Sequence, residues 1–243
     1  MLKKEKNCDP ADPDDQQCGD HWDHVAFDPE HRLVVSVVPG KRTAENAQAL
    51  VDDFKRRTGG RLMRLITSDE YATYATALLE AYGEVVVPQR TGKPGRPRSP
   101  YKVAPVGLNY ATVHKTREQG RVVKVACRVV FGLLAAVLAA LALSRVSKKI
   151  NTSYLERHNG TDRNRNARKV RKSYCFSKDW EVHQAVTYFT MYSYNFCWPV
   201  RTLRVREGKD GSWRQRTPAM AAGLADHVWP LAEWVTFPAV QRK

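Results

Sequence analysis

This sequence predicts an α/β fold with an inserted β-hairpin and C-terminal helices, on three observations. Short β-type runs and amphipathic helical patterns alternate in the order β-β-α-β-α-β over residues 21–87. A second hairpin pattern follows a stretch rich in Pro, Gly and Arg. From residue 131 onward the pattern is mostly helical. The 243 residues are 42% hydrophobic, enough for one globular domain with a sizeable core. Six Trp and ten Tyr exclude a disordered composition.

The elements follow from local chemistry. The acidic, Pro-containing stretch 8–20 (CDPADPDDQQCGD) predicts a loop. HWDHVAFD (21–28) and RLVVSVV (32–38), joined by Pro29-Glu30-His31, predict a hairpin that Pro39-Gly40 ends. Thr43 is a good N-cap, and Ala47, Leu50, Val51 and Phe54 recur with helical period over 43–57. Gly59-Gly60 stops that helix. RLMRLIT (61–67) predicts a strand, Ser68-Asp69 caps a helix over 70–82, and EVVV (84–87) predicts a further strand. Residues 88–107 predict a linker, and 110–115 and 121–130 flank the turn Arg117-Glu118-Gln119-Gly120.

The run 129–143 (VVFGLLAAVLAALAL) holds 15 apolar residues between Arg128 and Arg145. A membrane-spanning helix needs about 20, so the run predicts a buried core helix and no membrane anchor. A helix from near Ser153 carries a dense basic face through Lys172. Residues 180–195 (WEVHQAVTYFTMYSYN) predict an aromatic core helix, with His183 as a packing or hydrogen-bonding residue. The organisation therefore divides into 1–87, 88–130 (basic linker and inserted hairpin), 131–205 and a tail, 206–243.

Charge is distributed unevenly. The net charge is +15, and residues 91–180 hold 20 Lys and Arg against 4 Asp and Glu. Such a block attracts a polyanion and releases its counterions, which points to nucleic acid; a solubilising surface is the bland alternative. The five cysteines contain no CxxC pair, which argues against a four-cysteine zinc site and fits a reducing compartment. The charged start MLKKEKNCDP reads as no secretory signal, so the expected location is cytoplasmic and nucleoid-associated.

No Gly-rich phosphate loop, HExxH or GxSxG occurs, so carboxylates are the candidates for chemistry. Asp69 lies where a strand turns into a helix, and Glu156 lies in the first turn of the helix that opens the basic face. Each has a structural explanation as well. Asp69 can cap its helix, and Ser153-Tyr154-Leu155-Glu156 fits a capping box.

LITSDEY (65–71), INTSYLERHN (150–159), Arg163 seven residues after Glu156, YSYNFCWPVRTLR (192–204) and TPAMAAGLADHVW (217–229) form a specific combination. Together they resemble the DDE transposases of bacterial insertion sequences, of the insertion-sequence-one type, from about residue 3 to residue 234. The resemblance implies a ribonuclease-H-like (integrase-type) core lacking its first strand. It implies metal-dependent DNA cleavage and strand transfer. In that chemistry three carboxylates hold two Mg²⁺ (or Mn²⁺) ions about 4 Å apart, hard cations that take oxygen ligands. Asp69 then corresponds to the second acidic residue and Glu156 to the third, both as metal ligands, and Arg163 holds a phosphate nearby.

In the family the first Asp precedes a segment like Lys3-Lys4-Glu5-Lys6-Asn7, whereas this chain starts at Met1-Leu2. The expectation is an N-terminally truncated copy of low activity. Asp20, Asp23 and Asp28 do not match by motif, and Asp23 is the nearest substitute. The alternative function is a non-catalytic DNA-binding remnant that binds element ends or interferes with full-length enzyme. Lys93 to Arg98 (KPGRPR) resembles the Gly-Arg-Pro core of AT-hooks, which would lay Arg96 and Arg98 in a minor groove; a flexible basic linker is the plain reading. Arg165, Arg168, Lys169, Arg171 and Lys172 can pair with phosphates. The implied partners are double-stranded DNA, as element ends and target, and further copies of the chain in a homo-oligomer.

Overall fold

The structure, a computed structural model, describes residues 5–9, 11–15, 18–89, 98–170, 174–207 and 211–238. Its main elements in chain order are β1 (His21–Asp28), β2 (Leu33–Lys41), α1 (Ala44–Arg57), β3 (Ile66–Asp69), α2 (Thr73–Tyr82), β4 (Glu84–Val86), β5 (Tyr101–Val103), β6 (Tyr110–Glu118) and β7 (Arg121–Phe131). They continue with α3 (Leu134–Leu143), α4 (Ser153–Arg165), α5 (Trp180–Cys197), β8 (Val205–Glu207), β9 (Ser212–Arg214), α6 (Pro218–Ala221) and α7 (Leu231–Thr236). The fold is mixed α/β. The chain divides into two compact units, Met1–Arg42 with Tyr154–Lys243, and Thr43–Ser153.

In the first unit β1 and β2 pair antiparallel from His21↔Lys41 to Asp28↔Leu33, with a bulge between Ala26 and Phe27. The Asp28 carboxylate organises the turn by accepting from the Glu30 amide at 2.8 Å. Val34 and Val37 of β2 pack with Met191 and Tyr194 of α5 to form the core. The Asn195 side chain fastens α5 to the strand: its Oδ1 accepts from Val34 N at 3.0 Å and its Nδ2 donates to Val34 O at 2.8 Å. Both ends of a buried amide are thus bonded, and the N–H and C=O of Val34 are satisfied. In the tail, Trp229 packs at a tilt against Phe196 of α5 and Trp234 meets Phe189 edge-on.

In the second unit, Thr43 caps α1 by accepting from the Asn46 amide, as its sequence position predicts. Gly59 and Gly60 take left-handed backbone angles (φ 62° and 75°) where α1 ends. Val51 of α1 and Ala77, Leu78 and Tyr82 of α2 enclose Leu108 and Tyr110 in the core. β3 runs parallel to β6, Ile66↔Tyr110 through Asp69↔Val113, and β6 pairs antiparallel with β7.

Several expectations are corrected. The strand at 61–67 starts only at Ile66, because its partner β6 starts at Tyr110 and residues 61–65 have no strand to pair with. The linker 88–107 contains β5, which pairs antiparallel with β4. The hairpin 110–130 is wider than predicted and joins β3 in one sheet, order β3-β6-β7. The apolar helix is shorter and less buried than 129–143 suggested. Its ten residues LAAVLAALAL are apolar on every side, only Val137 is buried, and Leu138 is 56% exposed. Among the described residues no helix is long and apolar enough to cross a membrane. The basic helix ends at Arg165, followed by a 3-10 turn at Ala167–Lys169.

Candidate functional site

Asp69 is the last residue of β3, exposed, at the carboxyl end of a strand with a parallel neighbour. In α/β sheets that end is where ligands are bound. The capping role is not the one it plays. α2 starts at Thr73, its N-cap is Ala72, and no side chain caps it. Behind Asp69, Ser68 Oγ lies 2.7 Å from the Tyr110 hydroxyl. Burial raises the Tyr110 pKa, the Ser68 hydrogen bond partly offsets this, and the Asp69 charge adds to the rise. On the same sheet, Lys115 Nζ donates to Thr152 Oγ1 at 3.2 Å and Cys127 Sγ to Ile150 O at 3.7 Å. These bonds tie residues 150–152, the lead-in to α4, to the β6–β7 hairpin.

The second candidate carboxylate is set by the two faces of α4. His158 and Asp162, one turn apart, are buried, while Glu156 and Arg163 are exposed. At 100° per residue Glu156 and Arg163 lie within about 20° of each other, two turns apart, on the side opposite His158 and Asp162. Burial of the first pair therefore aims the second pair outward. His158 packs between the rings of Phe27 and Tyr194, with Nε2 3.3 Å from Met191 Sδ. Burial first, then the Arg165 and Lys169 charges, lower its pKa to about 4.

The predicted phosphate-binding cations separate into two kinds. Lys169 is withdrawn from solvent: its Nζ lies 2.7 Å from Asp162 Oδ2 and 2.9 Å from Asp23 Oδ2, and its side chain is 8% exposed. Arg165 is half-buried, donating to Thr190 O at 3.0 Å and lying over the Trp198 ring at 4.8 Å. Both hold α4 and the turn after it against β1 and α5 instead of facing water. The physical reason is that a dense cationic segment must satisfy the acids beside it, here the buried Asp162 and the partly buried Asp23. The sequence carried a signal for this, since Asp162 is one of four acids in the strongly basic stretch 91–180. Arg163 and Arg98 are exposed, and Arg168 is partly so. Arg96, Arg171 and Lys172 lie outside the described residues. His183 hydrogen-bonds Ser177 at 2.9 Å and stacks on Trp180.

The Mg²⁺ or Mn²⁺ implied by the resemblance would find oxygen donors of suitable hardness in Asp69 and Glu156. Among the described residues no group of three or more His, Cys, Asp or Glu side chains could hold a metal ion.

Comparison with known families gives one assignment. The model described as IS1 transposase matches residues 140–195, which contain all of α4 with Glu156 and Arg163, and most of α5. Comparisons with curated proteins and with solved structures give no match. Over residues 140–195 the chain is similar to the IS1 transposase family.

Proposed function

We propose that this chain acts on DNA as an insertion-sequence transposase of DDE type, on a ribonuclease-H-like framework. It would bind element ends and target duplex, cut a phosphodiester and join the released 3′ end. The observation that carries the reading is the family match enclosing α4, whose exposed side bears Glu156 and Arg163. By the family resemblance Glu156 and Asp69 would each supply an oxygen donor for Mg²⁺ or Mn²⁺. Arg163 holds a phosphate beside Glu156, as a planar guanidinium can do with two oxygens at once. Arg98 and Arg168 add phosphate contacts.

A second reading rests on the charge of residues 91–180, which hold 20 Lys and Arg against 4 Asp and Glu. In it the chain binds element ends without cutting them, or dimerises with an active copy. Two assays on the full chain separate the readings: binding of a labelled duplex, and nicking of supercoiled plasmid with Mn²⁺. Slow nicking that stops in Asp69→Asn and in Glu156→Gln supports the transposase. Duplex binding with no nicking supports the second reading. The absence of duplex binding rejects both.

A further inference from the structure

We infer that the β6–β7 hairpin is a DNA-docking ribbon, rooted beside Asp69, that lies in a groove of the duplex. This rests on the reading that the chain acts on DNA. β3 supports β6 only as far as Asp69↔Val113. Past that pair β6 continues five residues to Glu118, turns through Gln119-Gly120, and returns as β7. At about 3.4 Å per residue the free ribbon reaches some 17 Å beyond Asp69. Gln119 and Gly120 both have positive φ (48° and 79°), the tight turn that keeps two strands in register to their tip. The Glu70 carboxylate pairs with His114 at the root.

Residues 150–152 touch the ribbon at Lys115 and Cys127, and β7 beyond them is open to solvent. Every residue from Arg121 to Arg128 is exposed, including Val122, Val123 and Val125 at 47–54%. A bare two-stranded ribbon is marginal in water, and its uncovered valines gain nothing from solvent. The covering partner is indicated by charge. Lys115, Arg117, Arg121, Lys124 and Arg128 face a single carboxylate in the ribbon, Glu118. A second copy laid along the β7 edge would bring like charges together, whereas a phosphate backbone would neutralise them. Shape agrees. The major groove, about 12 Å wide, admits a two-stranded ribbon, and its thymine methyls offer apolar contact for valines. The register shift after Thr116 leaves an extra residue in β7, and bulges of this kind increase ribbon twist.

The test is binding of a fluorescein-labelled, random-sequence duplex to the full chain, titrated across salt concentration. Arg117→Gln/Arg121→Gln/Lys124→Gln alters exposed residues of the ribbon, and its melting temperature should match the wild type. A control triple, Arg56→Gln/Arg57→Gln/Arg61→Gln, removes equal charge from exposed positions in and just after α1. The ribbon triple should bind about 10- to 100-fold more weakly at physiological salt, with the salt slope smaller by about 2 to 3. The control should lose much less of both. Equal losses in the two triples, or wild-type affinity in the ribbon triple, would overturn the inference while leaving DNA binding itself intact. A ribbon triple that keeps its affinity but loses self-association in sedimentation would assign the surface to a second copy instead. No duplex binding by the wild type would reject the proposed function as well.

Discussion

Lys169 and Asp162 form an ion pair almost wholly withdrawn from water, Nζ to Oδ2 2.7 Å, with side chains 8% and 5% exposed. Asp162 also accepts from Thr190 Oγ1 at 3.2 Å, so the pair links the turn after α4 to α5. Removing one partner of such a pair leaves an uncompensated charge and costs about 3–5 kcal/mol. Lys169→Met should lower stability by that order in chemical denaturation. The double variant Lys169→Met/Asp162→Asn should recover part of the loss, since it also removes an acid. A Lys169 variant as stable as the wild type would reject its role as a buried anchor.

His158 makes stability fall in acid. Its folded pKa is about 4 against an ordinary 6.5, so the unfolded chain takes up a proton that the folded chain refuses. Its contribution is constant above about pH 6.5. Below that pH, stability is lost as pH falls toward 4, by at most about 3 kcal/mol. His158→Phe keeps an aromatic ring between Phe27 and Tyr194 and should flatten the unfolding free energy across that window. An unchanged pH profile in the variant would show that other groups dominate it.

Arg163 and Arg165 are two residues apart on α4 but should report different things. Arg163 is exposed, so Arg163→Gln should leave the melting temperature alone and weaken duplex binding, with a salt slope lower by about 1. Arg165 donates to Thr190 O and lies over Trp198, so Arg165→Gln should lower the melting temperature first. Equal melting temperatures for the two variants would contradict this division.

On α3, Leu138 is 56% exposed and Val137 is fully buried. Leu138→Asp should therefore change stability by no more than about 0.5–1 kcal/mol. Val137→Asp buries an unpaired charge and should unfold the unit or make it aggregate. Thermal melts of the two variants decide this, and a Leu138→Asp protein that fails to fold would restore the buried-helix expectation.

What could be read in the sequence was local. The hairpin β1–β2, the Thr43 cap, the Gly59-Gly60 stop and the periodicity of α1 depend on neighbours within a few residues, and they stand as expected. What failed was long-range or depended on who covers whom. Nothing near Leu65–Asp69 announces a parallel partner over forty residues away, and Tyr101–Val103 reads as linker until β4 lies beside it. α3 looks buried because it is apolar, but composition does not supply a neighbour to cover every side. At the candidate site, Glu156 and Arg163 could be placed on one face from their spacing of seven. Lys169 could not be told from its basic neighbours, because its partners Asp23 and Asp162 come from β1 and α4.

The proposed chemistry rests on Glu156, and nicking of supercoiled plasmid in Mn²⁺ by the wild type and by Glu156→Gln tests it most directly. The side chain is exposed on α4, so the variant should fold and bind duplex like the wild type. The expected outcome is slow wild-type nicking that falls about 100-fold or more in Glu156→Gln, with binding unchanged. Nicking that persists in Glu156→Gln, or a wild type that binds duplex and never nicks it, would refute the catalytic assignment.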